Sequence, residues 1–150
     1  MGRLPAVYLS PQDDEFAALG AFFDAWGYGD FVPETFASQF GHSSFSAVTA
    51  GDGFVCGAIL FRLVGDECEI IEIAVAQDQR GKGIASDMLA ELISYLGKSG
   101  IRRLILEVAE DNHHALGLYH KYGFGQIGKR AGYYKQKIDA IILELALSMA

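Results

Sequence analysis

Residues 79–86 read Gln-Arg-Gly-Lys-Gly-Ile-Ala-Ser, with two glycines and two cations between an apolar run and a long helical pattern. A glycine-rich turn that leads into a helix can bring backbone N–H groups against an anion, because glycine accepts φ > 0 and lets the chain approach closely. The first turn of the helix adds unsatisfied N–H groups and the positive end of its dipole. Arg80 and Lys82 contribute positive charge, so the stretch Arg80, Gly81, Lys82, Gly83, Ile84, Ala85 and Ser86 is spaced as a pyrophosphate cradle. A dinucleotide fingerprint would place glycine where Ser86 stands and would lie in a parallel βαβ unit. A Walker loop would need Gly-x-x-x-x-Gly-Lys-Ser/Thr, which this sequence lacks. A plain glycine turn before a helix is the competing structural reading.

Two carboxylates and a phenol are the other groups that could do chemistry. Glu107 is the single charged residue of Leu-Ile-Leu-Glu-Val-Ala, 104–109, and Glu72 interrupts the apolar run Ile-Ile-Glu-Ile-Ala-Val, 70–75. A carboxylate in such a place can take a proton from a nucleophile. It can equally be the outward-facing residue of an alternating strand. Tyr119 shares a helical face with Ala115, Leu116 and Tyr122, so it reads either as a proton donor or as a core aromatic.

The elements that must position these groups follow from periodicity and punctuation. A short strand is expected at 6–10, then a helix over 14–26 with Phe16, Leu19, Phe22 and Phe23 on its apolar side. Gly-Tyr-Gly-Asp breaks that helix, and Pro33 opens a second one over 33–40. Strands are expected at 45–50, 54–64 and 67–76, joined by Gly-Asp-Gly and Gly-Asp-Glu turns as an antiparallel meander. The cradle leads into a helix over 83–100, whose apolar residues Ile84, Met88, Leu89, Leu92, Ile93 and Leu96 fall at helical spacing. A buried strand at 101–109 follows, and Asn112 is placed to cap a helix over 113–122. Strands at 124–130 and 138–147 end the chain. The order predicts an α+β fold, a mixed and mostly antiparallel sheet of about seven strands flanked by helices.

Composition narrows the function. A chain of 150 residues suits one domain, 1–150, with a single core. Its net charge of −7 disfavours direct binding of nucleic acid through phosphates and favours basic partners. Cys56 and Cys68 lie in apolar runs and have neither disulfide nor metal-ligand spacing, so buried thiols in a reducing compartment and no metal are expected. No signal segment opens the sequence, and no apolar run approaches the ~18 residues of a membrane span. A cytoplasmic protein without membrane contact is the expectation.

Arg80, Gly83 and Ala85 also spell Arg-x-x-Gly-x-Ala, which resembles the coenzyme A pyrophosphate signature of the GNAT N-acetyltransferase superfamily. Asn112, Ala115, Leu118, Tyr119, Gly123 and Phe124 resemble its second signature, Asn-x-x-Ala-x-x-Leu-Tyr-x-x-x-Gly-Phe. Both motifs stand in the right order, one helix and one strand apart. From 33 to the last strand the chain is similar to the ribosomal-protein-alanine N-acetyltransferases, the RimI family, through 73–86, 106–112, 115–124 and 128–145.

The resemblance implies a GNAT fold whose central strands splay apart, with acetyl-CoA as donor and a protein N-terminal α-amine as acceptor. The implied acceptor is a basic ribosomal protein beginning with Ala; the alternatives are the same chemistry on another amine (a polyamine, an antibiotic or a lysine) and a non-catalytic CoA-binding module. Backbone groups of Ile73, Ala74 and Val75 would pair with the pantetheine amides. Glu107 would be the general base, with Glu72 as its rival, and Tyr119 the general acid. Asn112 would cap its helix or touch the donor, while His113 and His114 are exposed residues of the helix start. Two acceptor-side departures stand out: Phe31 takes the place of a family Trp, and Gly-Tyr-Tyr is followed by Lys135 instead of Pro. Asp30 and Glu34 flank the acceptor-side segment and could meet a basic peptide, although solvated charge explains either residue alone.

Overall fold

The computed structural model describes residues 6–51, 54–133 and 137–147. Among these residues seven strands form one sheet, and four helices cover its two faces. In chain order these are β1 (Ala6–Leu9), α1 (Asp14–Trp26), α2 (Pro33–Phe40), β2 (Phe45–Gly51), β3 (Val55–Val64) and β4 (Glu67–Val75). A single 3₁₀ turn at Gln77–Gln79 follows, then α3 (Ile84–Lys98), β5 (Arg103–Ala109), α4 (His113–Lys121), β6 (Gly125–Arg130) and β7 (Ala140–Ala146). The expected elements are all present, with ends that coincide or differ by one or two residues. Among the described residues no helix is long and apolar enough to cross a membrane.

The strand order is β1-β2-β3-β4-β5-β7-β6, antiparallel throughout except where β4 meets β5. Strands β2, β3 and β4 form the expected meander, Phe45 opposite Arg62 and Val64 opposite Glu67. A parallel neighbour needs a crossover, and α3 supplies it.

Apolar side chains fill both faces of the sheet. On one face α3 buries Ile84, Met88, Leu89, Leu92 and Leu96 against Ile59, Phe61, Leu104 and Leu143. On the other, α1 and α2 bury Phe16, Phe23 and Phe36 against Ala47, Ala58 and Leu60. Phe31, from the loop between these helices, stacks on Phe23 with ring centroids 5.2 Å apart.

The departure from regularity lies at β4. Phe61 of β3 faces Ile70, yet the next residue back, Leu60, faces Glu72. Ile71 is therefore a bulge, an extra residue that bends its strand and adds local twist. Pairing of β4 with β5 runs from Glu67–Arg103 only as far as Ile70–Leu106. Beyond it β4 stays with β3 to Val75, and β5 stays with β7 to Ala109. The sheet thus splits between β4 and β5, as the splayed central strands implied by the resemblance require.

The bulge also exchanges the faces of β4. Cys68 and Ile70 pack on the α3 side, and past the bulge Ile73 and Val75 take that side. Ala74 joins the core under α1 and α2, and Glu72 turns the same way, toward the α1–α2 loop.

Candidate active site

The split opens into two adjoining cavities, of about 970 Å³ and about 410 Å³. Tyr28, Ile73, Asn112, Ala115 and Tyr119 line both, so the gap between β4 and β5 is where they meet.

The larger cavity runs from the end of β4 to the start of α3. Ile73, Ala74 and Val75 line it along β4, where pairing with β5 has ended. Gly81 and Gly83 take φ of +79° and +80°, the left-handed region that glycine enters without strain, and nothing lies within 4 Å of where a Cβ would stand on either. Gly83 caps α3, whose first intrahelical bond is donated by Asp87 to its carbonyl. The N–H groups of Ile84, Ala85 and Ser86 precede that bond and have no intrahelical acceptor. A turn with two open glycines and a helix start aimed at a cavity fits the pyrophosphate of a CoA thioester.

The side chains of this turn divide the work. Arg80 lies on the wall, but its Nε donates to the Val75 carbonyl at 3.1 Å and its Nη2 to that of Trp26 at 3.5 Å. It therefore fastens the turn to the ends of β4 and α1. Lys82 is not part of the wall; its Nζ bonds Gln79 Oε1 at 3.2 Å. The Ile84 side chain is buried core, which leaves its backbone for a ligand. The Ser86 hydroxyl is 2.6 Å from Tyr122 Oη, and Tyr122 also donates to the Ser86 carbonyl at 3.0 Å, tying α3 to α4. Asn112 Oδ1 accepts from the Ala115 N–H at 3.2 Å, the helix cap that its position predicts.

The smaller cavity lies on the α1–α2 side and is rich in carboxylates. Asp30, Glu69, Glu72 and Glu107 line it, with Arg130 the one cation on its wall among the described residues. Leu104, Leu106 and Val108 alternate into the α3 side of the core, so Glu107 falls on the other face, where it lines the cavity. Arg130 Nε lies 3.2 Å from Glu107 Oε1, and its guanidinium sits 4.9 Å over the Tyr133 ring. Glu72 faces the same cavity from β4. Its Oε2 accepts from the Tyr28 N–H at 2.9 Å and its Oε1 from the Gly29 N–H at 3.1 Å. Burial pushes its carboxyl up to about 6, partly opposed by these two N–H groups, which favour the charged form.

Tyr119 is buried beside Phe124 on the α3–α4 side and reaches both cavities. The core reading of this residue holds, and the same residue also lines the gap. Phe31 and Asp30 line the smaller cavity, whereas Glu34 does not. Lys135 lies outside the described residues. Sequence reasoning passed over Tyr28, Gly29, Arg130 and Tyr133 as site residues. The Gly-Tyr-Gly break was the available signal for the first two, and nothing local marked Arg130.

A glycine cradle at one cavity and a row of carboxylates at its neighbour, joined where the sheet splits, suit the transfer of a group from one bound molecule to another. Residues 8–124 match the model of the acetyltransferase (GNAT) family, and the chain belongs to that family; it is an acetyl-CoA-dependent N-acetyltransferase. Within the family it is similar to the ribosomal protein bS18-alanine N-acetyltransferase of Escherichia coli (strain K12), 34% identical over 119 residues, 77% of this chain and 80% of that protein. The enzyme of the same name from Salmonella typhimurium (strain LT2) is 36% identical over 105 residues, 68% of this chain and 70% of that one.

The crystal structure of the ribosomal-protein-S18-alanine N-acetyltransferase from Escherichia coli matches with a TM-score of 0.86 at 28% identity, covering 97% of this chain and 96% of that chain. A GNAT family acetyltransferase from Elizabethkingia anophelis, with acetyl-CoA bound, matches in fold with a TM-score of 0.66 at 22% identity, over 73% of this chain and 80% of that chain.

Proposed function

We propose that the whole chain is one N-acetyltransferase domain that transfers acetyl from acetyl-CoA to the N-terminal α-amine of a protein, a basic ribosomal protein beginning with Ala. The observation that carries this reading is the split after Ile70 and Leu106, which joins the glycine cradle to a carboxylate-lined cavity. The names of the relatives, which act on ribosomal protein alanine, support the acceptor class.

The donor supplies an activated acetyl thioester. The N–H groups at the start of α3 hold its phosphates. Backbone groups of Ile73, Ala74 and Val75, no longer paired with β5, hold its amide arm as an added strand would be held. The acceptor enters from the α1–α2 side, where four carboxylates on the wall attract a cation.

An α-amine has a pKa near ~8, so much of it arrives protonated and must lose a proton before it can attack. Glu107 takes that proton, directly or through a water. In the free enzyme Arg130 pairs with Glu107 Oε1, and the incoming ammonium competes for the same carboxylate. As the new N–C bond forms, the nitrogen becomes acidic and releases its second proton to water; as the C–S bond breaks, Tyr119 gives a proton, restored from water, or a hydrogen bond to the leaving thiolate. Transfer is direct. Neither Cys56 nor Cys68 lines either of the two cavities, and burial pushes the Cys68 thiol up to about 12, far from the thiolate a covalent route needs.

Thiol release from acetyl-CoA tests this reading. The acceptors are an Ala-starting basic peptide, the same peptide with a blocked N-terminus, a lysine peptide and a polyamine. Reaction of the free-N-terminus peptide alone is expected. Equal reaction of the blocked peptide or the polyamine would assign the same chemistry to another amine, and CoA binding without transfer to any of them would mean a binding module.

A further inference from the structure

Beyond its share of the charge that draws in the acceptor, the mechanism gives the half-buried Glu72 no task. Glu72 stands on the split strand, faces the acceptor cavity and engages the backbone of a loop far away in sequence. We propose that Glu72 is a positioning residue for the acceptor, holding the Gly27–Gly29 loop against β4 and so setting the shape of the cavity that receives the acceptor's first residue. This inference rests on the proposed function above, in which that cavity takes the acceptor.

Three observations carry it. Each carboxylate oxygen of Glu72 accepts one N–H of the loop, from Tyr28 and from Gly29, so both acceptors serve the same segment. The loop is built to come that close. A Cβ on Gly29 would lie 3.2 Å from Glu72 Oε1 and 3.1 Å from the Phe31 ring, and one on Gly27 would lie 3.5 Å from Glu72 Cδ. Lastly, the loop's own side chain spans the gap: Tyr28 Oη donates to Asp111 Oδ1 at 3.0 Å, in the turn between β5 and α4. Tyr28 lines both cavities, so its seat bounds the passage between donor and acceptor. The bulge at Ile71 aims Glu72 at the loop, and the carboxylate then fixes where Tyr28 and Phe31 stand.

The arrangement separates Glu72 from Glu107 in kind. A proton acceptor is felt in turnover at saturating acceptor. A positioning group is felt in how well the acceptor is received, and in the loop itself. Glu72→Gln keeps the shape of the side chain but replaces one acceptor oxygen by an NH₂ that faces an N–H donor, so one of the two bonds is lost.

With the Ala-starting peptide, Glu72→Gln is expected to raise acceptor KM about tenfold, in line with one lost charge-assisted bond, while kcat at saturating peptide stays within about twofold. Gly29→Ala leaves the carboxylate intact and crowds the same contact, and it should raise KM in the same direction. Amide hydrogen exchange of Tyr28 and Gly29 should be slow in the wild type and about tenfold or more faster in Glu72→Gln. A collapse of kcat with KM unchanged would overturn the proposal and make Glu72 the base. Fast exchange of both amides in the wild type would also overturn it, as would unchanged KM in both variants. If the wild type acetylates a lysine or a polyamine instead, the α-amine reading fails, and KM for that amine together with the exchange rates still decides the role of Glu72.

Discussion

Glu72 and Glu107 stand on the same face of the sheet, on the two strands that part between them, and both line the smaller cavity. Their partners differ. Glu72 is held by two backbone N–H groups, whereas Glu107 meets the Arg130 guanidinium, a side chain that can be displaced. That contrast favours Glu107 as the group that handles the proton. Glu107→Gln is expected to lower kcat by about a hundredfold or more while leaving acetyl-CoA affinity within about twofold, the range for loss of a general base. Steady-state kinetics with calorimetry of acetyl-CoA checks both numbers, and near-normal turnover would hand the proton to Glu72 or to water.

Tyr119 joins the two cavities from the α4 side. Tyr119→Phe removes the hydroxyl and keeps the ring that packs on Phe124. Turnover should fall by about tenfold to a hundredfold with little change in acetyl-CoA binding or thermal stability. Full activity would leave Tyr119 as a core aromatic alone.

Gly83 occupies the left-handed region at φ +80° and caps α3. Gly83→Asp adds the steric cost of that region, about 1–2 kcal/mol, and sets a negative charge against the donor's phosphates. Acetyl-CoA should bind at least tenfold more weakly by calorimetry, the equivalent of about 1.4 kcal/mol. Unchanged affinity in a folded variant would remove the cradle from the donor site.

The Glu72 carboxyl is raised from 4.5 to about 6 by burial. A folded-state pKa above the unfolded one means that the fold retains the proton more tightly than the unfolded chain does. The stability this group contributes is therefore complete below about 4.5 and is lost as the pH rises through about 6. The shift corresponds to about 2 kcal/mol, an upper figure for a side chain that is partly screened. Glu72→Gln does not titrate, so wild type should lose about that much stability relative to it between about pH 4.5 and about pH 7.5 in urea unfolding. A difference that does not vary with pH would show that Glu72 ionises as it does in the unfolded chain.

Much of this molecule is local, and what is local was legible in the sequence. The spacing of Ile84, Met88, Leu92 and Leu96 makes one apolar helical face in any context, and α3 buries that face. Gly81 and Gly83 declare positive φ, Asn112 declares a cap, and the three apolar runs with tight turns declare a meander. The two motifs around these residues were enough to place the chain among the GNAT acetyltransferases.

What the tertiary structure decided depends on residues far apart in the chain. Whether Ile71 bulges is settled by the register of β4 on β3, and that one extra residue turns Glu72 from the α3 side to the α1–α2 loop, 43 residues away. The direction of Glu107 follows from simple alternation, but whether its face meets water or a cavity depends on where β4 leaves β5. Nothing local marks Arg130 on the penultimate strand; it is the partner of Glu107 only because β7 lies between their strands at matching register, Ile142 opposite both Glu107 and Gly128. Local sequence sets the dihedral preferences and the buried face of each element. The meeting of two carboxylates, a phenol and a glycine cradle around one gap is set by how the strands pair and where that pairing stops.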